Sequence, residues 1–337
     1  MKILVTGGAG FIGSNFVKYI LSQYPGYKIV NLDKLTYAGN LDNLSDVEDN
    51  SNYQFIKGDI CDQKLVEGIV EEKIDVIINF AAETHVDRSI YDPTIFVKTN
   101  VFGTQALLES ALKFKIKRFI QISTDEVYGS STKGFFTESS SLLPNSPYSA
   151  SKASADLLIR SYLKSFSLPV VIVRSTNNYG PYQFPEKLIP LFITNALSGQ
   201  ELPLYGDGLY VRDWLHVEDH CKALDLVVHK GRIGEIYNIG GDCEKTNLEI
   251  AELILKKLNQ PKSLIAHVKD RPAHDRRYAL DSSKIKDELG FKPATSFEEG
   301  LSKTVDWYIA NQKWWQKIRT GEYLEYYQKH YILREKI

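Results

Sequence analysis

The 337-residue sequence predicts an α/β fold, a doubly wound parallel sheet with a smaller C-terminal α/β lobe. Three observations predict it. Short, almost continuously apolar runs alternate with amphipathic stretches through the first half, the pattern of strands buried on both faces and their crossover helices. A glycine-rich turn joins the first strand to the first helix. After about Asn177 the texture changes, and proline and glycine cluster in NNYGPYQFPEKLIP and LPLYGDGLYVRDW, which read as ligand-handling loops.

Taken in order, Lys2–Val5, Lys28–Leu32, Tyr53–Lys57, Val76–Phe80, Arg118–Ile122 and Val170–Arg174 read as strands. Between them, Val101–Phe114 carries Leu107, Leu108, Ala111 and Phe114 at helical spacing. Ile236–Ile239 is a further strand able to rejoin the first sheet. Asn247 to Lys257 reads as a helix with Asn247 at its N-cap. The aromatic C-terminal stretch around Trp307, Trp314 and Trp315 reads as helical packing surface. This divides the chain into residues 1–178, with a segment near 209–245 returning to them, and residues 179–337.

The strand at Ile3–Val5 runs into Thr6-Gly7-Gly8-Ala9-Gly10-Phe11-Ile12-Gly13, with a helix beginning near Ser14. Gly8, Gly10 and Gly13 form G-x-G-x-x-G in the strand–turn–helix setting of a Rossmann dinucleotide site. There glycines permit a tight turn, close approach of a pyrophosphate and close helix–sheet packing. The helix N-terminus offers free N–H groups to phosphate. Asp33 ends the next strand, twenty residues beyond Gly13. A carboxylate there accepts from ribose hydroxyls and repels a 2′-phosphate, so NAD is expected over NADP. Asp59 and Ile60 follow the third strand within reach of an adenine, although a capping Asp would look the same. Ala81 and Ala82 end the fourth strand and are small enough for a cofactor to pass.

Tyr148 and Lys152 stand at i and i+4 in YSASK, on one face of a helix. Tyrosine titrates near pH ~10, and a neighbouring ammonium favours its phenolate. Such a pair can take a proton from a sugar hydroxyl while hydride leaves the same carbon. Asp125 and Glu126 lie just past the fifth strand. In isolation two acids there would read as a helix start, where carboxylates complement the dipole.

The combination of T-G-x-x-G-x-x-G with Y-x-x-x-K resembles the extended short-chain dehydrogenases that act on nucleotide sugars. Along nearly its whole length the chain is most similar to the dTDP-glucose 4,6-dehydratase group. The segments LDKLTYAGNLDNL, AAETHVDRSI, STDEVYG, NNYGPYQFPEKLIP, YGDGLYVRDWLHVEDH and DRPAHDRRYA carry the similarity. STDEVYG discriminates most, because epimerases of the superfamily generally carry other residues where Asp125 and Glu126 stand. The resemblance implies oxidation at C4, removal of the acidified C5 proton by Glu126, departure of water from C6 with a proton from Asp125, and hydride return to C6. Such chemistry needs two carboxyls of unequal acidity. Thr124 would hydrogen-bond the C4 oxygen. The expected product is a 4-keto-6-deoxy sugar nucleotide, with no cofactor consumed.

The same resemblance adds Lys34, Thr36 and Thr99 to the cofactor contacts and places Asn178 at the nicotinamide side. It sets His85 near the sugar and Asn177 against the sugar nucleotide. Lys187 and Leu188, then Pro203 to Tyr205, would line the nucleotide pocket, and Arg212, Asn247, Arg271 and His274 would address the diphosphate and its ribose. Arginine forks suit a pyrophosphate. One departure is R-P-A-H, with Ala273 where the family has glycine. If that position needs positive φ, alanine strains it. The resemblance further implies a homodimer built on the helices around Val101–Phe114 and Ser149–Lys164.

Other classes fit less well. A net charge of -1 leaves no basic footprint for nucleic acid or an anionic membrane. No apolar run reaches the ~18 residues of a spanning helix, and MKILVTGG reads as a strand entering a turn, not a leader, so a cytoplasmic protein is expected. Cys61, Cys221 and Cys243 form no disulfide or CxxC pattern and read as small buried hydrophobes. His216 and His220 give H-x-x-x-H without the glutamate of H-E-x-x-H or a third ligand, so no metal is expected. The competing readings are a 4,6-dehydratase of another nucleotide sugar, a nucleotide-sugar 4-epimerase, and an NAD-binding scaffold without activity.

Overall fold

The computed structural model describes residues 1–272 and 274–328. Seven parallel strands build the main sheet: β1 (Lys2–Thr6), β2 (Lys28–Asp33), β3 (Tyr53–Lys57), β4 (Val76–Asn79), β5 (Arg118–Thr124), β6 (Val170–Ser175) and, later in the chain, Ile236–Ile239. Their spatial order is β3-β2-β1-β4-β5-β6 with Ile236–Ile239 outermost beside β6. The order reverses between β1 and β4, and the crevice at such a reversal, at the carboxyl ends of the strands, is where ligands bind in open α/β sheets. β1, β4 and β6 are apolar almost throughout because helices cover both faces. Ile3, Val5, Ile78, Ile120 and Val171 pack with the helix Phe11–Gln23 on one side, and Leu4, Ile77, Phe119 and Ile172 with Leu107, Leu108 and Ile159 on the other.

The second lobe has its own core, in which Phe192, Trp214, Ile250, Leu301, Tyr308 and Trp315 meet. Two small sheets organise it. In the first, β7 (Asn177–Tyr179) pairs in parallel with β9 (Val211–His216), which pairs antiparallel with Glu244–Thr246. In the second, β8 (Leu202–Tyr205) pairs with Ile265–Val268. β7 follows β6 after a single residue, so the chain leaves the main sheet and enters the ligand lobe directly at the crevice.

Several local expectations differ from the structure. The first helix begins at Phe11, with Gly10 as its N-cap, because the glycines bring the chain into helical geometry earlier than Ser14. The N-cap of Asn247–Lys257 is Thr246, whose hydroxyl accepts from Glu249 N while the Glu249 carboxylate accepts from Thr246 N. That reciprocal box outcompetes Asn247, which becomes the first helical residue. Val101–Phe114 is not one uniform helix: Val97–Gly103 is π-helical and Thr104–Lys113 α-helical. Cys221 is buried, whereas Cys61 and Cys243 are only partly so. Trp307 and Trp314 pack edge to face on the C-terminal helices, and Trp315 joins the second core. Ala273 lies outside the described residues.

Candidate active site

One cavity of about 310 Å³ runs along the carboxyl edge of the main sheet, and a second of about 170 Å³ continues into the ligand lobe. Gly7, Gly10, Phe11, Ile12 and Gly13 form the floor of the first, Asp33, Lys34, Thr36, Asp59 and Ile60 its far end, and Ala81, Ala82 and Thr99 its wall. Gly13 has no room for a side chain: a Cβ would lie 2.4 Å from the Gly7 carbonyl oxygen. Gly7 is held at φ +71°, and its Cβ would meet the Ala81 backbone at 2.6 Å. Gly8 does not line the cavity, and its N–H donates to Asn31 Oδ1 instead. Asp33 accepts from Ala9 N and Leu35 N, which fixes the carboxyl while leaving lone pairs for ribose hydroxyls. Lys34 pairs with Asp59 at 2.8 Å across the far end. This cradle, closed to a Cβ at Gly7 and Gly13 and ending in a carboxylate, fits NAD.

The reactive side chains come from two elements. β5 ends at Thr124, whose hydroxyl caps the short turn Asp125–Tyr128, so Asp125 faces the first cavity and Glu126 the place where the two cavities meet. Glu126, Asn177 and Lys187 line both. Tyr148 and Lys152 come from the helix Pro147–Phe166, started by the Ser146–Ser149 capping box, and both face the first cavity, as does Asn178.

Burial sets their acidity. Asp125 is 2% exposed, and burial, reinforced by the Glu126 charge, pushes its carboxyl up to about 8, so it keeps its proton at neutral pH. Burial also raises Glu126, but Arg271, Arg212 and Lys187 oppose the shift. The two carboxyls thus sit in different electrostatic surroundings, Glu126 facing three cations. Burial lowers Lys152 to about 8, with Asp156 resisting, and its Nζ donates to the Ile122 carbonyl at 2.6 Å. The tyrosine differs from the sequence expectation. Burial and the charges of Glu126 and Asp125 push the Tyr148 hydroxyl above its ordinary value, and only the Thr124 side chain lowers it. The helical spacing set Tyr148 and Lys152 on one face but did not reveal the two acids facing the phenol.

The second cavity gathers His85, Leu188, Pro203, Tyr205, Arg212, Asn247, Arg271 and His274. Arg212 is held by carbonyls of Val211 and Asp275 and lies over the Tyr278 ring at 4.3 Å. Lys187 donates to the Thr84 carbonyl. Arg271 Nε and Asn247 Oδ1 are buried without a hydrogen-bond partner among the described residues, the first a donor suited to a bound diphosphate and the second an acceptor suited to a hydroxyl. His274 stacks on Tyr210 with ring centroids 3.7 Å apart. Asp87 escaped the sequence reading. Its carboxylate accepts from Tyr205 OH at 3.0 Å and lies 3.6 Å from Arg271 Nη1, tying two walls of the cavity together. Its position two residues after His85 in HVDRSI was the available signal. His216 and His220 have other partners: His216 Nδ1 caps a helix at Glu218 N, and His220 Nε2 meets Ser175 Oγ at 2.7 Å.

Fold and site together define a short-chain dehydrogenase of the extended kind, a dinucleotide sheet with a ligand lobe at its carboxyl edge. A profile of the GDP-mannose 4,6 dehydratase family matches residues 4–304. A dTDP-glucose 4,6-dehydratase of Streptomyces niveus is 54% identical over 326 residues, covering 96% of this chain and 97% of that protein. The crystal structure of dTDP-glucose 4,6-dehydratase from Bacillus anthracis in complex with NAD is 54% identical, with a TM-score of 0.89 over 94% of this chain and 99% of that one. For DesIV, the Streptomyces venezuelae dTDP-glucose 4,6-dehydratase crystallised with NAD bound, the values are 51% and 0.93 over 94% and 100%. The chain belongs to the sugar-nucleotide 4,6-dehydratase family, alongside the dTDP-glucose 4,6-dehydratases.

Proposed function

We propose that the protein catalyses the NAD-dependent dehydration of dTDP-glucose to dTDP-4-keto-6-deoxyglucose. The observation that carries this is the placement of two neighbouring carboxyls, Asp125 in the first cavity and Glu126 where the two cavities join, in the cavity that Tyr148 and Lys152 also line. NAD, when bound, supplies a cationic ring that takes hydride from C4 and returns it to C6. Tyr148, as the phenolate, accepts the C4 hydroxyl proton and becomes the phenol, with Lys152 as the cation that favours the phenolate beforehand. Thr124 holds the C4 oxygen. Glu126, where Arg271, Arg212 and Lys187 oppose the upward shift from burial, removes the C5 proton and returns it to C5 as hydride reaches C6. Asp125 gives its retained proton to the departing C6 oxygen. A 4-epimerase has no use for a proton donor at C6.

In this reading the glycine floor, Asp33, Lys34, Thr36, Asp59, Ile60, Ala81, Ala82, Thr99 and Asn178 hold NAD. His85 and Asn177 meet the sugar, Lys187, Leu188, Pro203 and Tyr205 the nucleoside, and Arg212, Asn247, Arg271 and His274 the diphosphate and its ribose. Residues 1–178 with the segment returning near 209–245 form the cofactor body, and 179–337 the substrate lobe. Incubation of NAD-loaded protein with dTDP-glucose is expected to yield an alkali-absorbing 4-keto product without net reduced nicotinamide. Failure to convert it, with UDP-, CDP- or GDP-glucose turned over instead, would reassign the nucleotide, and a galactose product would replace dehydration by epimerisation.

The protein works in the cytoplasm as a homodimer in this account, and among the described residues no helix is long and apolar enough to cross a membrane. Val97, Phe102, Leu157 and Phe166 are each at least half exposed on the π-helical stretch and the Tyr148 helix, an apolar surface suited to a second copy. Light scattering should report the mass of two chains; a monomer at every concentration refutes the dimer.

A further inference from the structure

We propose that Trp314 and Asn43 form a latch between the two lobes that slows NAD release. The inference rests on the assignment of the first cavity to NAD. A continuous hydrogen-bonded chain runs from the C-terminal helix Gln312–Ile318 to the ribose-facing carboxylate. The Trp314 indole N–H donates to Asn43 Oδ1 at 2.9 Å, and Asn43 Nδ2 donates to the Ala9 carbonyl at 2.9 Å. Ala9 N then donates to Asp33 Oδ2 at 2.9 Å. Asn43 is 1% exposed, so both ends of its amide would be costly to leave unpaired.

The position of Asn43 gives the chain its consequence. The segment from Lys34 to Gly39 walls the dinucleotide cavity, and it ends in the turn Leu41–Leu44 that carries Asn43. A dinucleotide leaves only when this wall moves away from the glycine turn. Asn40 N also donates to the Ala9 carbonyl, so the wall is pinned to the turn twice, and Trp314 pins it from the other lobe. Trp314 itself is fixed by edge-to-face contacts with Trp307, Tyr182 and Tyr308. The nearby Lys317–Asp42 pair is exposed and contributes little. The latch has a chemical purpose in a reaction that borrows a hydride and returns it within one turnover. Reduced cofactor lost in mid-cycle would strand the sugar as an oxidised intermediate.

The test uses the full-length, NAD-loaded protein without any sugar nucleotide, so its outcome is independent of whether dTDP-glucose is the substrate. NAD release is followed by trapping free NAD with excess alcohol dehydrogenase and ethanol. Trp314→Phe keeps the ring and removes the indole N–H, and release is expected to quicken about five- to tenfold, the scale of one hydrogen bond. Trp315→Phe makes the same change one residue away, where the indole donates to the Tyr308 carbonyl within the ligand lobe, and should leave release unchanged. Equal acceleration by both variants means general loosening and overturns the latch, as does a Trp314→Phe rate within about twofold of the parent. Should Trp314→Phe fail to fold, Asn43→Ser breaks the bridge from the other side and is read by the same criterion.

Discussion

Glu126→Gln is expected to stop the reaction after its first step, cutting turnover by about 10³-fold, the usual contribution of a positioned base. Glutamine keeps the shape of the side chain and removes its capacity to take the C5 proton. The proposed oxidation at C4 uses Tyr148 and Lys152, which the substitution leaves in place, so reduced nicotinamide should accumulate where the parent shows only a transient. Proton exchange between C5 and heavy-water solvent, measured by mass spectrometry of recovered sugar nucleotide, should fall with turnover. The substitution also removes a negative neighbour of Asp125. Since Glu126 is one of the causes holding that carboxyl up to about 8, the Asp125 pKa should come down, although burial, the larger cause, remains. Retained turnover with undiminished C5 exchange would show that another group is the base.

The second large effect lies upstream. Tyr148→Phe removes the phenol that, alone among the described residues, lines the first cavity beside Thr124, and turnover should fall by about 10³-fold or more with no reduced nicotinamide formed at any stage. The structure gives a reason to expect the whole of this effect. Burial and two carboxyls raise the Tyr148 hydroxyl in the protein alone, so in the proposed reaction the phenolate would need the Lys152 ammonium and positive charge brought by the cofactor. Lys152 is itself lowered to about 8, so it is charged at neutral pH and loses that charge as pH rises past that value. Full activity in the phenylalanine variant, measured as 4-keto product, would remove Tyr148 from the chemistry.

The parts of this site legible in sequence are those whose geometry is local. A glycine turn between a strand and a helix, a carboxylate at the end of the next strand, and a tyrosine and lysine one helical turn apart all have fixed spatial relations, because a helical turn or a single βαβ unit sets them. What was not legible depends on contacts made across the fold. Asp87 matters because Tyr205 and Arg271 come to it from elements more than a hundred residues away. The direction of the Tyr148 shift depends on β5 delivering Asp125 and Glu126 beside the phenol, which helical spacing cannot report. Asp156, buried against Arg174 and Ser123 behind Lys152, belongs to the same class. Thr246 displaced Asn247 as a cap because Glu249 completes a reciprocal pair with it. The strands β7, β8 and β9 lie within or beside the proline- and glycine-rich stretches NNYGPYQFPEKLIP and LPLYGDGLYVRDW, whose turn signals mask the strand pattern.

The central claim is a division of labour, in which the tyrosine starts a reaction that the two acids at the end of β5 finish. The most direct measurement is the absorbance of reduced nicotinamide during the first turnover, after mixing NAD-loaded parent, Tyr148→Phe and Glu126→Gln proteins with dTDP-glucose. A rise and fall in the parent, no signal in Tyr148→Phe and a sustained signal in Glu126→Gln is the predicted result. A sustained signal in the tyrosine variant, or none in the glutamate variant, would contradict it.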